Sequence, residues 1–336
     1  MQVRTTIIIP NYNGLKFMEP CFASLKEQTQ KNFKILVVDN GSTDGSVEWL
    51  KEHDIPTIFL TENTGFTGAV NVGIKAADTP FVILLNNDTT LDPRYVEKME
   101  RAISRSEKIF SVSCKIIQMY EPTLMDDAGD MYSVLGWAYQ RGVGRPVELY
   151  DKPRRIFSAC AAAAIYRRDV FEKMGYFDPM HFAYLEDIDV GYRAKLYGYD
   201  NIYCPDAVIY HVGSGTSGSK YNEFKVRLAA RNNVYLCYKN MGTWQLLLNA
   251  PTLAAGFFVK YLFFKKLGFG KVYREAFLEG LKTAKNCRKV PELPGKFQQE
   301  VKIQTELIWG TILYVYEFSK RQMAKMEKNK QKDVVS

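Results

Sequence analysis

Along the first hundred residues, short apolar runs typical of buried strands alternate with stretches that have the hydrophobic periodicity of helices. Short apolar runs occupy residues 6–10, 35–38, 55–60 and 81–85, and helical periodicity fills the stretches between them. This alternation predicts a parallel sheet with helices on both faces. From about residue 108 to 165 the pattern changes to short strands and loops, and helical periodicity returns over residues 167–174 and 187–197. The pattern therefore predicts an α/β fold with a mostly parallel, Rossmann-like sheet flanked by helices.

From about residue 221 the chain becomes helical and aromatic, and we place a domain boundary near residue 241. Residues 241–336 hold 17 Lys and Arg against 8 Asp and Glu, whereas residues 1–240 are close to neutral. The basic charge is therefore confined to the C-terminal extension. We predict a nucleotide-binding and catalytic domain over residues 1–240 and a helical, basic extension over residues 241–336.

The basic extension favours a membrane surface over a nucleic acid as partner. Phe257, Phe258 and Phe263 stand beside Lys265 and Lys266, which is typical of a helix that lies on anionic lipid. The apolar run over residues 246–259 is interrupted by polar residues and by a proline, so it is shorter than a membrane span requires. We expect a helix on the surface rather than across the bilayer, an amphipathic stretch over residues 297–318, and a frayed basic tail over residues 320–332.

Cysteine usage and the amino terminus indicate a cytoplasmic protein. The six cysteines are scattered, without a CxxC pair or a histidine cluster, so they predict neither a disulfide framework nor a zinc site. Strand-like sequence begins at Thr5 with no secretory signal ahead of it. We therefore expect a peripheral protein on the cytoplasmic face of the plasma membrane, and the sequence does not indicate its oligomeric state.

Polar residues follow three of the apolar runs directly, at residues 10–14, 39–44 and 86–88. The carboxyl ends of parallel strands meet at one edge of a sheet, where ligands bind. Asp88 is therefore expected to face a ligand and not the core. A fourth polar group, residues 185–189, holds three carboxylates.

These groups, together with residues 63–66, residues 175–178 and His211, resemble glycosyltransferase family two, the inverting enzymes of the GT-A fold, and in particular their bacterial rhamnosyltransferase-like members. The resemblance covers roughly residues 5–240. It implies transfer of one sugar from a dTDP- or UDP-sugar, with dTDP-rhamnose as one candidate donor. It also implies a lipid-linked or cell-surface glycan as acceptor.

The resemblance places residues 86–88 at the DXD position, with Asn86 where the first Asp usually stands. Asp88 is then the principal ligand of Mg²⁺ or Mn²⁺, which offsets the charge that gathers on the leaving diphosphate. His211 joins the metal shell, and the loop over residues 213–216 closes over the diphosphate. The alternatives are a helix-capping turn at Asn87 and Asp88 and a hydrogen-bonded core histidine at His211.

The donor-binding residues that the resemblance implies are Pro10, Tyr12, Asn13, Asp39, Asn71 and Asn87. Asp39 would contact the nucleobase and ribose, and a carboxylate there can accept from a pyrimidine imide N–H. Its alternative is a turn or helix cap, since residues 39–42 also have strong turn chemistry. The alternative for Asn71 is an ordinary polar position on a helix.

Asp187 is the catalytic base that the resemblance implies, and Glu186 positions the acceptor or orients Asp187. An inverting transfer needs one carboxylate that removes the acceptor hydroxyl proton while the hydroxyl attacks the anomeric carbon. The alternative for these residues and Asp189 is an acidic, solvated helix start, which the helix dipole favours.

Three other classes of protein are alternatives to this one. A dinucleotide dehydrogenase needs GxGxxG after the first strand, and residues 10–14 lack it. A sugar nucleotidyltransferase shares the α/β nucleotide domain, but it usually carries a basic, glycine-rich phosphate loop near its start. A non-catalytic membrane-surface scaffold with the same fold is the third alternative.

Overall fold

The computed structural model of the protein describes residues 2–213 and 221–335, with side chains as far as residue 323. The strands are β1 (Thr5–Asn11), β2 (Phe33–Asp39), β3 (Thr57–Phe59), β4 (Phe81–Leu85), β5 (Thr89–Leu91), β6 (Ile109–Gln118), β7 (Met125–Asp127), β8 (Asp130–Tyr132), β9 (Ala138–Gln140), β10 (Arg154–Ile156), β11 (Ala163–Arg167) and β12 (Asp200–His211). The helices are α1 (Leu15–Lys26), α2 (Ser46–Glu52), α3 (Gly65–Ala76), α4 (Tyr95–Ile103), α5 (Arg168–Met174), α6 (Glu186–Leu196), α7 (Glu223–Asn240), α8 (Thr243–Lys266), α9 (Gly270–Thr283) and α10 (Lys296–Val335). Most of the loop predicted to close over the diphosphate, from residue 214, lies outside the described residues.

The large sheet has the strand order β10-β12-β6-β11-β4-β1-β2-β3. β1 pairs in parallel with β2 and with β4, and β3 extends this parallel part beyond β2. β11 runs antiparallel between β4 and β6, whereas β6 and β12 are parallel. The sheet is therefore mixed and mostly parallel, as predicted.

Both faces of the sheet are covered, because successive side chains of a strand point to opposite sides. Ile7 and Ile9 of β1 pack with Met18 of α1 on one face, whereas Ile8 packs with Val70 of α3 on the other. All five residues of β4 are buried. A strand covered on both faces can be apolar throughout, which explains the run at residues 81–85.

β6 is the element that sequence periodicity misses. It is ten residues long and buried at its first nine positions, where only short strands and loops are predicted. Ser111, Ser113 and Lys115 interrupt its apolar run. Ser111 is accommodated in the core because its hydroxyl lies 2.8 Å from Oδ1 of Asn201 on β12. A buried strand with satisfied polar side chains does not read as an apolar run.

α8 is a continuous helix of 24 residues that passes through Pro251, so the residues that interrupt the apolar run do not interrupt the helix. In the part of the chain that the structure describes, α8 is the one helix with the length and composition of a membrane-crossing helix. One face of it packs on protein, because Nδ2 of Asn249 donates to Oε1 of Gln304 on α10 at 2.8 Å.

The other C-terminal helices also pack against the first 240 residues. α9 packs along α7, where Gly280 allows close approach to Val234. α10 crosses the β8–β9 pair, and the hydroxyl of Tyr139 donates to the carbonyl of Gly310 at 2.6 Å. α10 continues as helix to Val335, where the sequence predicts a frayed tail. The division into two domains at residue 241 stays a prediction.

Candidate active site

The strand ends open into a cleft of about 760 Å³. Its walls come from the ends of β1, β4 and β12, from β8, and from the first turns of α6 and α7. Asp88 and Asp187 are far apart in the sequence, and both line this cleft. The predicted metal ligand and the predicted base therefore share one cavity.

Asp88 lies beside His211 because β5 pairs antiparallel with the end of β12, with Thr89 opposite His211. Nε2 of His211 is 3.3 Å from Oδ1 of Asp88, and Nδ1 is 2.7 Å from Oδ2 of Asp126. Burial lowers the pKa of the His211 imidazole. Its hydrogen bonds with Asp126 and Asp88 outweigh burial and raise the pKa to about 10. Asp126 is thus a further member of this group.

The geometry of these side chains fits a divalent cation. Mg²⁺ or Mn²⁺ with ligands at roughly 2.1 Å and near right angles places neighbouring donor atoms about 3 Å apart. The 3.3 Å between Asp88 Oδ1 and His211 Nε2 is close to this separation. A carboxylate on the second nitrogen is the usual way in which a ligating imidazole is oriented, and Asp126 provides it. Asp88 and His211, with Nε2 deprotonated, would hold the ion, and Asp126 would orient the imidazole.

Glu186 and Asp187 begin α6 and line the cleft. Phe182, Tyr184 and Leu185, just before them, have φ angles of 62°, 69° and 66°. Such a conformation costs a non-glycine residue on the order of 1–3 kcal/mol. Burial raises the pKa of Asp187, and raises that of Glu186 to about 8. A carboxylate with a raised pKa is a stronger base, but it accepts a proton only while it is ionised, and a pKa of about 8 leaves Glu186 mostly protonated at neutral pH.

One side chain of α7 holds this strained turn in place. Nδ2 of Asn232 is 2.8 Å from the carbonyl oxygens of His181 and Ala183 and 2.9 Å from that of Tyr184. Asn232 is fully buried, so no solvent replaces these bonds. The orientation of the first turn of α6 therefore depends on a helix that follows it in the sequence.

Asp189, the third carboxylate of this segment, faces away from the cleft. Its Oδ2 accepts from Nε of Arg193 at 3.1 Å and from Nζ of Lys239 at 3.0 Å, and its Oδ1 accepts from Asn240 at 2.8 Å. Burial favours the neutral acid, but Lys239 and Arg193 hold the pKa of Asp189 well below its usual range. An acidic, solvated helix start does not describe this segment, because Asp189 is an internal ion-pair anchor between α6 and α7.

Three of the predicted donor residues, Pro10, Tyr12 and Asn87, line the cleft. Asn87 donates to Oδ1 of Asn11 at 2.7 Å, and Asn11 donates to Oδ2 of Asp39 at 2.8 Å. Asn11 lines the cleft and Asp39 does not. The structure thus places Asp39 one side chain behind the wall, where it orients Asn11.

Asn13 and Asn71 do not line the cleft either. Oδ1 of Asn13 accepts from the backbone N–H of Thr43 at 2.8 Å, which fastens the loop after β1 to the loop after β2. Both ends of the Asn71 amide bond the backbone of Phe177, at 2.7 and 3.0 Å. The alternative interpretation of Asn71 as a structural helix position therefore fits the structure better than a contact with the sugar.

Sequence analysis does not select Asp126, Asp130 or Asn232. Three aspartates within residues 126–130, between short strands, are a signal that could have been used, since such a density of carboxylates is unusual in a sheet. Asn232 stands within a helix, where asparagine is unfavourable unless its side chain bonds elsewhere. Neither signal indicates which distant segment the side chain meets.

A cleft at the strand ends of a mixed, mostly parallel sheet is typical of nucleotide-binding α/β enzymes, GT-A glycosyltransferases among them. A model of glycosyl transferase family 2 matches residues 6–175, and the chain belongs to this family. The protein is therefore a glycosyltransferase, which sets aside the nucleotidyltransferase alternative.

Relatives and solved structures agree with this assignment. The chain is 25% identical over 268 residues to an N-acetylglucosaminyl-diphospho-decaprenol L-rhamnosyltransferase of Mycobacterium tuberculosis, covering 71% of this chain and 86% of the relative. It is 25% identical to the uncharacterized glycosyltransferase YwdF of Bacillus subtilis, covering 69% of this chain and 85% of YwdF.

Two solved structures share the fold. GalNAc-T7 with UDP, GalNAc and Mn²⁺ superimposes with a TM-score of 0.58 at 15% identity, covering 70% of this chain and 48% of that one. Residues 1–349 of S. aureus TarS with UDP superimpose with a TM-score of 0.51 at 19% identity, covering 79% of this chain and 74% of that one. The GT-A fold predicted from the sequence is confirmed.

Proposed function

We propose that this glycosyltransferase moves one sugar from a dTDP- or UDP-sugar to a hydroxyl of a lipid-linked or cell-surface glycan, with inversion at the anomeric carbon. The observation that carries the proposal is that Asp88 and Asp187 line one cleft. The similarity to a rhamnosyltransferase that acts on a decaprenol-linked substrate supports this choice of acceptor, and it keeps dTDP-rhamnose as one candidate donor.

Asp88 and His211 hold Mg²⁺ or Mn²⁺ against the donor diphosphate in this proposal. The bound cation offsets the charge of the leaving diphosphate. Pro10, Tyr12 and Asn87 form the floor on which the nucleotide lies, supported from behind by Asp39 through Asn11.

Asp187 removes the proton from the acceptor hydroxyl as its oxygen attacks the anomeric carbon. Its Oδ1 accepts from the backbone N–H of Ile188 at 2.7 Å, which orients the carboxylate without protonating it. Glu186 lies next to it in the same wall. One base is enough, because an inverting displacement forms no covalent intermediate on the protein.

The test measures release of nucleoside diphosphate from a panel of UDP-, dTDP- and GDP-sugars with Mn²⁺. Asp187→Asn is expected to abolish release while nucleotide-induced thermal stabilisation persists. Asp88→Ala is expected to abolish both release and the Mn²⁺-dependent part of that stabilisation. Asp78→Asn is the matched control, because Asp78 is 69% exposed and pairs only at the surface with Lys34. Near-normal turnover by Asp187→Asn would contradict the assignment of the base.

The C-terminal helices supply the membrane-facing part of the proposal. α8 exposes a set of large apolar side chains: Leu247, Leu248, Phe258, Val259, Leu262 and Phe263. Lys265 and Lys266 are exposed at its end. This combination fits the interface of an anionic bilayer, where a lipid-linked acceptor would be found.

Sedimentation with vesicles that contain anionic lipid tests this part. Each lysine near such a surface contributes about 1 kcal/mol. Replacing both Lys265 and Lys266 by Glu should therefore weaken vesicle binding more than tenfold. Tyr120→Ser serves as control, because Tyr120 is 76% exposed on the catalytic part. Equal partitioning of the charge-reversed and control variants would refute the surface assignment.

A further inference from the structure

Three carboxylic acids line the cleft side by side, Asp130, Glu186 and the proposed base Asp187, and the fully buried Asp127 lies close to them. Among the described residues, one oxygen each of Asp127, Asp130 and Glu186 is buried without a hydrogen-bond partner. Carboxylates this close cannot all be ionised in a buried site. Some group must neutralise part of this charge.

Ser158 fixes the position of Asp130 against Asp187. The backbone N–H of Asp130 donates to the carbonyl of Ser158 at 3.0 Å, and the N–H of Ser158 donates back at 3.2 Å. The hydroxyl of Ser158 donates to the carbonyl of Asp187. With both backbones tied to one residue, the Asp130 and Asp187 side chains lie next to each other in the wall of the cleft.

A hydrogen bond between two neighbouring carboxyl groups requires a proton, and one of the two groups carries it. Oδ1 of Asp187 accepts a second hydrogen bond, from the N–H of Ile188 at 2.7 Å, and this favours the ionised form of Asp187. Oδ2 of Asp130 has no donor among the described residues. The asymmetry assigns the proton to Asp130.

The groups that face the pair from neighbouring elements agree with this assignment. Burial and the nearby charges of Asp127 and Asp187 raise the pKa of Asp130 well above its usual range. Burial also raises the pKa values of Asp127 and Glu186 to about 8 and that of the Cys160 thiol well above its usual range. The Tyr166 hydroxyl nearby is likewise neutral, and Arg141, which donates to the carbonyl of Ala128 at 3.0 Å, is the cation that acts on Asp127.

A cation is the other way to neutralise the cluster. Ligand atoms of Asp127, Asp130 and Cys160 lie within 4.8 Å of one another. Oδ1 of Asp127 already accepts from the N–H of Gly129 at 2.6 Å, and a buried neutral thiol is a poor ligand. The donor set therefore suits a proton better than a metal ion.

We propose that Asp130 is a positioning residue that keeps a proton at neutral pH and donates it in a hydrogen bond to Asp187, so that the proposed base stays ionised and oriented in the cleft. The inference rests on the proposed role of Asp187. During transfer, the acceptor O–H proton moves to Asp187 as the acceptor oxygen bonds the anomeric carbon and the bond to the diphosphate breaks. The pair then holds two protons, and one leaves to solvent after the product departs.

The kinetic test compares Asp130→Asn with Asp130→Leu. Asparagine has the shape of the protonated acid and still donates to Asp187, whereas leucine, which has the same number of side-chain heavy atoms, donates nothing. The pH dependence of kcat/KM is followed by nucleoside diphosphate release with Mn²⁺ and the most active donor of the sugar-nucleotide panel. We expect Asp130→Asn to keep the acid limb of the wild type and Asp130→Leu to move it up by about one pH unit.

A role limited to folding would lower the rate of both variants without moving the acid limb. An acid limb of Asp130→Leu at the wild-type position, or an equal shift in both variants, would overturn the inference. So would a tightly bound metal that is present in the wild type and lost from Asp130→Asn.

Thermal unfolding supplies a readout that does not need activity. The pKa of Asp130 is raised in the folded state, so the stability that its proton confers is full below the unfolded pKa near 4 and is lost as pH rises toward the folded pKa. Asparagine has no such dependence. The Tm of Asp130→Asn relative to the wild type should therefore increase by about 2 °C per pH unit from pH 5 to pH 8.

A constant Tm difference over this range would overturn the inference, and Asp78→Asn provides the baseline. The two proposals can fail separately. Full activity of Asp187→Asn would refute the base. Inactive Asp187→Asn with a wild-type acid limb in Asp130→Leu would refute only the role of Asp130.

Discussion

Replacing Asn232 by leucine should lower the activity of this enzyme under conditions in which its global fold is still intact. The asparagine donates to three backbone carbonyls of the turn before α6, at 2.8 to 2.9 Å, from a fully buried position. Leucine has the same number of side-chain heavy atoms and the same branching, so the change removes the hydrogen bonds without opening a cavity. The variant therefore reports on the bonds themselves.

The magnitude follows from the groups left behind. A buried carbonyl without its partner costs about 1–3 kcal/mol, and the carbonyl of His181 keeps a second donor, the N–H of Ala183 at 2.7 Å. Taking about 1.5 kcal/mol for each of the other two carbonyls gives a loss of about 3 kcal/mol. The turn also stores strain at Phe182, Tyr184 and Leu185, all at positive φ. Without the hydrogen bonds from Asn232, we expect this turn to be the first segment that loses its native conformation.

Urea unfolding and nucleoside diphosphate release are measured on the same preparations. We expect the free energy of unfolding to fall by about 3 kcal/mol, and the release rate to fall more than tenfold at urea concentrations where the helix signal is still native. Arg227→Ala is the control on the same helix, since Arg227 is 55% exposed in a surface pair and should cost less than about 1 kcal/mol. Wild-type stability and a wild-type release rate in Asn232→Leu would refute the proposed role of Asn232 in holding the turn before α6.

Three further outcomes are expected. Asp126→Asn should weaken Mn²⁺ binding, measured by calorimetry, about 10- to 100-fold, because the amide no longer orients His211 as a carboxylate does. Gly65→Ala should lower Tm and activity together, because Gly65 has a φ of 78° and a Cβ would lie 2.5 Å from the carbonyl oxygen of Phe182. Asp189→Asn should cost about 3 kcal/mol at pH 7. Its deficit should shrink as pH falls below 4, because the depressed pKa of Asp189 makes the wild-type stability present above the unfolded pKa and lost below it.

The parallel part of the fold is predictable from the sequence because its signals are local. Residues 81–85 are apolar throughout and end at a polar group, and the structure places them in a strand covered on both faces. β6 is not predictable in this way, since Ser111 is satisfied by Asn201 on β12 and not by its neighbours in the sequence. Periodicity fails where a buried strand carries polar residues.

The same distinction between local and tertiary signals separates the site residues that the sequence predicts correctly from those that it does not. Asp88, Asp187 and His211 follow from the ends of elements and from a family resemblance, and all three line the cleft. Whether a side chain reaches the cleft or stops behind it is decided by neighbours that are distant in sequence. Asp39 stops behind Asn11, and Asn71 is held by the backbone of Phe177. A strand end locates the region of a site, but it does not separate a ligand contact from its support.

The contacts of α7 indicate that the catalytic unit extends beyond the segment matched by the family model. The match to the family ends at residue 175, before α6 begins, so the proposed base lies outside the matched segment. α7 then lines the cleft with its first turn, clamps the turn before Glu186 through Asn232, and anchors Asp189 with Lys239 near its end. The opposite side of α7 is covered by α9, against which Val226 and Ala230 are buried.

Removing residues 241–336 would uncover that side of α7. A loss of activity in such a truncation would therefore report on the support of the base as well as on membrane binding. Point variants on the exposed face of α8 are the changes that separate the two effects.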